Sequence, residues 1–61
     1  MMTCEEATDV LLRVELNLCQ ARNQLESVAE DFPSARQAFF AIYAAIAQVR
    51  PLVKDAAKGR L

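Results

Sequence analysis

The sequence predicts an all-α fold, an antiparallel helical hairpin, and three observations carry that prediction. An apolar series at strict 3-4 spacing runs through the first half: Cys4, Ala7, Leu11, Val14, Leu18, Ala21, Leu25, Val28 and Phe32. Four heptads without a miss are the signature of a helix with one apolar stripe. A proline follows at once, at position 33, and beyond it a second apolar helical series fills the rest of the chain. With 61 residues, one Gly and 54% hydrophobic content, the chain makes one domain, residues 1–61, and is too apolar to be disordered.

The first helix is expected over about 4–30. Thr3-Cys4-Glu5-Glu6 fits a capping box, in which the Thr3 hydroxyl accepts from the Glu6 amide and Glu6 reaches back to Thr3. Glu5, Glu6 and Asp9 place negative charge where the helix dipole favours it. Pro33 pushes the residue before it out of the α region, so the turn falls at 31–34. Ser34-Ala35-Arg36-Gln37 offers a second capping box, and Pro33 alternatively suits a first-turn position.

The second helix is expected over about 35–58. Its broad apolar face carries Ala35, Ala38, Phe39, Ile42, Ala45, Ile46, Val49, Leu52, Val53 and Ala56. Pro51 removes the hydrogen bond to the Ala47 carbonyl, so a kink is expected near it. Gly59 is a natural C-terminal stop, with Lys54, Lys58 and Arg60 complementing the dipole.

Charge agrees with a hairpin. The first helix and turn hold seven acids against two arginines; from Ser34 onward five bases stand against Asp55. An antiparallel pairing sets Glu5, Glu6 and Asp9 beside Lys54 and Lys58. Exposed pairs of this kind contribute only a few tenths of a kcal/mol up to about 1, so they choose orientation more than they stabilise.

One hairpin does not use all of the apolar surface. Ala38 to Ala47 (AFFAIYAAIA) is apolar around its full circumference apart from the Tyr43 hydroxyl, whereas a surface helix is apolar along one stripe. At about 1.5 Å per residue it covers about 15 Å, half of a bilayer core, so it is no membrane span. Leu12, Leu16 and Cys19 fall almost opposite the first-helix seam. Phe40, Ala44, Ala47 and Pro51 form a similar back stripe on the second helix, flanked by Tyr43. Scattered apolar surface residues are common, but aromatic anchors beside small residues suit a close helix contact. Leu12, Leu16, Cys19, Phe40, Tyr43, Ala44 and Ala47 are therefore the expected interface residues. Small domains usually need a disulfide, a metal or oligomerisation. A homodimer of hairpins forming a four-helix bundle is the simplest closure; the bundle mainly uses the seam faces, and the back stripes then serve a partner protein or a higher homo-oligomer.

The sequence offers little equipment for chemistry. With no His and two Cys, a zinc site built from one chain is excluded. Cys4 and Cys19 lie roughly 22 Å apart along one helix, too far for a disulfide. Ser27 and Ser34 have no His to activate them, and no Gly-rich phosphate loop exists. No enzymatic activity, cofactor or metal is expected. The opening MMTCEEATD is acidic where a signal peptide would be basic, and free thiols suit a reducing compartment, so a cytoplasmic location is expected.

Arg13, Asn17, Gln20 and Gln24 make a polar stripe that could contact nucleic acid, and the RNA-binding hairpin dimer ROP is similar in architecture. A net charge of −1 and an acidic first helix argue against that alternative, because phosphate binding needs clustered Lys and Arg. The remaining expectation is a regulator, inhibitor or adaptor that contacts another protein through apolar helix faces, with a purely structural self-assembling bundle as the other reading.

Overall fold

The computed structural model describes all 61 residues. Helix α1 spans Cys4–Asp31, a 3-10 turn covers Pro33–Ala35, and helix α2 spans Arg36–Ala57. The chain is all-α, two helices packed against each other in a rod of 42 × 16 × 14 Å. No helix is long and apolar enough to cross a membrane.

The helix ends follow their local chemistry. Thr3 Oγ1 accepts from the Glu6 amide at 3.1 Å, and the Thr3 amide donates to Glu6 Oε1 at 3.3 Å, closing the capping box. At the far end Gly59 adopts φ +71°. Its amide donates to the Ala56 carbonyl at 3.0 Å, and the Arg60 amide donates to the Asp55 carbonyl at 2.7 Å. These two bonds form the Schellman arrangement that a left-handed glycine permits.

Of the two readings of the turn, the Ser34 cap is not formed and Pro33 takes the first-turn position. Ser34 caps nothing: α2 begins at Arg36, after Ala35, with no side-chain cap. Pro33 instead opens a 3-10 turn behind an extended Phe32, and the Ala35 amide donates to the Phe32 carbonyl at 2.9 Å. The chain has already entered helical geometry at Ser34, so the hydroxyl has no open turn to close. Helix α2 then runs unbroken through Pro51. The Ala47 carbonyl that loses its donor there belongs to an exposed residue and is open to water.

Two contacts set the register. Arg50 Nε reaches Glu15 Oε2 at 3.1 Å, and the Arg22 guanidinium lies over the Tyr43 ring, 5.3 Å from its centroid. Position rises along α1 as it falls along α2, so the helices are antiparallel. The ion pairs expected between Glu5, Glu6 or Asp9 and Lys54 or Lys58 are not formed; the cross-helix pair is Glu15–Arg50. Glu6 is held by its cap, and side chains this exposed gain too little from pairing to be ordered.

The seam itself departs from the expected one. Ala35 of the 3-10 turn is half-buried, and on α2 the buried and half-buried positions are Phe39, Ile42, Ile46, Val49, Val53 and Ala56, with Ala45 and Asp55 at the edge, while Ala38 and Leu52 are exposed. On α1 the row Cys4, Leu11, Leu18 and Leu25 faces inward as expected. Its companion row is Thr8, Glu15, Arg22 and Ala29; of the expected companions, Ala7 and Ala21 are half-buried at the edge of the seam as expected, and Val14 and Val28 are exposed. Val14, Val28 and Phe32, all expected in the seam, are 36%, 45% and 63% exposed. Helix α1 is thus rotated toward one side. The rotation is physically accessible because Glu15 and Arg22 lay their aliphatic stems along the seam and keep their charges at its edge. There they gain Arg50 and the Tyr43 ring as partners.

Candidate functional site

The rotation leaves one side of the hairpin with two central rows free of charge, Asp31 and the half-buried Asp55 standing on its outer rows. On α1 the row Ala7, Val14, Ala21 and Val28 repeats every seven residues and flanks the seam on the side away from Glu15 and Arg22. On α2 the matching row is Ala38, Ala45 and Leu52, on the side away from Tyr43 and Arg50. The antiparallel register brings the two rows onto one face, with Val14 level with Leu52, Ala21 with Ala45 and Val28 with Ala38. Phe32 extends it at the turn. From residue 7 to residue 28 the face runs about 32 Å at 1.5 Å per residue.

The next row outward is nearly uncharged as well. It carries Val10, Asn17, Gln24 and Asp31 on α1, and Ala41, Gln48 and Asp55 on α2. Asn17 and Gln24, half of the polar stripe weighed against nucleic acid, are therefore amide borders of an apolar surface. Aliphatic rows at the centre with amides at the edge are the composition of a helix–helix interface with a polar rim.

The opposite side is mixed. Leu12, Cys19 and Tyr43 flank the seam there, Leu16, Phe40 and Ala47 lie further out, and Ala44 points away from the other helix. All seven expected interface residues therefore lie away from the uncharged face. Cys19 is half-buried and its thiol, like that of Cys4, is free; the other six are exposed. Glu15, Arg22, Arg36 and Arg50 interrupt them. Phe39 packs edge-on against both Phe40 and Tyr43, at centroid distances of 5.7 and 5.4 Å. A recess of about 230 Å³ at the turn end is lined by Glu26, Ala29, Glu30, Arg36, Phe39 and Phe40.

No protein-family model, curated protein or solved structure matches this chain. Its function must therefore be argued from its surfaces.

The exposed area of the whole rod is large for its mass, as its 42 × 16 × 14 Å shape requires. A folded monomer of this mass is expected to expose about 4,000 Å²; the hairpin exposes 4662 Å². The excess is on the order of 700 Å², close to the roughly 800 Å² that each partner buries in a standard interface. Only Ala29, Ile46 and Ala56 are buried, and of these Ile46 alone is fully so.

Sequence reasoning placed both of these rows in the seam faces, and did not separate the edge that meets the other helix of the hairpin from the edge left exposed. A signal was present: Glu15 and Arg50 are opposite charges at the same level of an antiparallel pair, and marking them as partners turns α1 the right way.

Proposed function

We propose that this protein is a non-enzymatic, homo-oligomeric interaction module whose uncharged face binds a second copy of the chain, making a four-helix bundle. The observation that carries the reading is the unbroken charge-free face of Ala7, Val14, Ala21, Val28, Ala38, Ala45 and Leu52, paired with an excess exposed area of one interface. Ala7, Ala21 and Ala45 are half-buried and Val14, Val28, Ala38 and Leu52 are exposed in the lone hairpin, and heptad rows left partly in water are the rows that a bundle buries. The other side, with Leu12, Leu16, Phe40 and Tyr43, then remains available to a different protein, which suits a regulator, inhibitor or adaptor.

The test is the dependence of thermal stability on concentration, in the wild type and in Phe40→Asp. An obligate dimer becomes more stable as protein concentration rises. The expected result is a midpoint that climbs with concentration in both proteins, because Phe40 lies outside the self-association face. A midpoint independent of concentration in the wild type would refute self-association. Loss of the dependence in Phe40→Asp alone would move the interface to the opposite side and favour a bundle that consumes every apolar surface.

A further inference from the structure

We infer that the second copy docks with its twofold axis along the bundle, so that both turns lie at the same end and each α1 packs beside the partner's α2. This rests on the self-association proposed above and adds its geometry. Two closed arrangements bury the uncharged face of both copies and keep all neighbouring helices antiparallel. In one, the axis runs parallel to the helices, the turns coincide, and α1 lies beside α2 of the other copy. In the other, the axis crosses the helices, the turns lie at opposite ends, and α1 lies beside α1.

Charge separates the two. Residues up to the turn hold seven acids and two arginines, and those after it hold five bases and one acid. With the turns opposed, antiparallel α1 helices bring Glu5, Glu6 and Asp9 of one copy to the level of Glu26, Glu30 and Asp31 of the other. All of these but Asp31 lie on rows that point away from the face, so the effect is of one acidic helix laid beside another, and the two basic helices likewise lie side by side. With the turns together, each acidic helix borders a basic one on both sides, and the helix-to-helix complementarity that orients the hairpin is repeated across the interface. Each pair is weak on the surface, but the central rows of the face are uncharged and alike in both arrangements. Orientation is therefore left to the charges.

The geometry also sets levels. Two hairpins sharing one direction place Asn17 of one copy level with Gln48 of the other, and Asp31 level with Ser34. The rim then contains amide against amide and carboxylate against hydroxyl, pairs that can hydrogen-bond.

Pulsed dipolar spectroscopy tests the arrangement. Cys4 and Cys19 are replaced by Ser, a single nitroxide is attached through Ser34→Cys at the turn, and the mass of the labelled protein is checked. A second protein carries the label through Lys58→Cys at the open end, so that a perturbation at one site does not decide the matter. With the turns together, each site is expected to give an intermolecular distance of about 15 to 25 Å, the diagonal of a bundle with 8–10 Å helix spacings plus the label arms. Distances near the 42 Å length of the rod in a protein of dimer mass would overturn the shared-end arrangement and leave self-association standing. A wild-type chain of monomer mass would overturn both.

Discussion

Leu52→Asp is expected to weaken self-association at least a hundredfold, about 2.7 kcal/mol, and Leu12→Asp is expected to leave it nearly unchanged. The comparison is controlled by chemistry. Both leucines are on helices, both become aspartate, and their exposures in the hairpin are similar, 42% and 49%. They differ in the side of the seam they occupy. Leu52 sits in the uncharged face level with Val14, where a second copy would strip water from the carboxylate and supply no counter-charge. Leu12 lies on the side already populated by Glu15 and Arg50, where a carboxylate stays hydrated. Helix-dipole effects differ between the sites by only about 1 kcal/mol, well below the expected gap. Sedimentation at matched concentrations measures it. Equal weakening by both changes would show that the uncharged face has no special role.

Ile46→Ala is expected to have the largest effect on folding. Ile46 is 2% exposed and is the largest fully buried side chain in the hairpin. Its neighbours along the seam, Ile42 and Val49, are only half-buried, so no other position concentrates as much burial. Truncating a buried isoleucine to alanine costs 2–5 kcal/mol, rising with the cavity left behind. In a two-helix seam open to solvent on both sides, partial collapse keeps the cost near the middle of that range, at about 3 kcal/mol. That is most of the stability a single core of this size supplies. Urea denaturation followed by circular dichroism at fixed protein concentration checks the value. A loss under about 1 kcal/mol would mean that folding energy lies outside this seam.

Most of the architecture was legible before the structure. Thr3 and Glu6 announced the first cap, Pro33 the turn and Gly59 the stop, because each acts through backbone geometry within a few residues. The row Cys4, Leu11, Leu18 and Leu25 was correctly placed inward. Of its expected companions Ala7 and Ala21 are half-buried but Val14 and Val28 are exposed, and the reason is physical. A stripe wide enough for a bundle contains more apolar rows than a pair of helices can bury. Periodicity identifies the stripe without saying which of its edges meets the intramolecular partner. In this chain the edge is chosen by Glu15 and Arg22, which a hydropathy pattern counts as solvent residues. Ser34 failed as a cap for a related reason: its sequence context fits, but the 3-10 turn opened by Pro33 had already claimed its backbone.

The same reasoning separates two surfaces that looked alike in sequence. Leu12, Leu16, Phe40 and Tyr43 were singled out because they lay outside the expected seam. Val14, Val28, Ala38 and Leu52 lie in the expected seam faces, which serve both the hairpin and the bundle. Once α1 is rotated, the second group forms the uncharged face, and the first group is interrupted by Glu15, Arg22, Arg36 and Arg50. Continuous apolar surface is the better mark of a permanent contact between copies, and apolar residues among charges suit a contact that forms and releases.

The most direct test of self-association through the uncharged face is the absolute mass of the wild-type protein in solution, by sedimentation equilibrium over a wide concentration range. The expected result is twice the chain mass of 6.8 kDa at micromolar concentration and above, falling toward one chain on dilution. A mass of 6.8 kDa at every concentration, with the helices intact by circular dichroism, would contradict it.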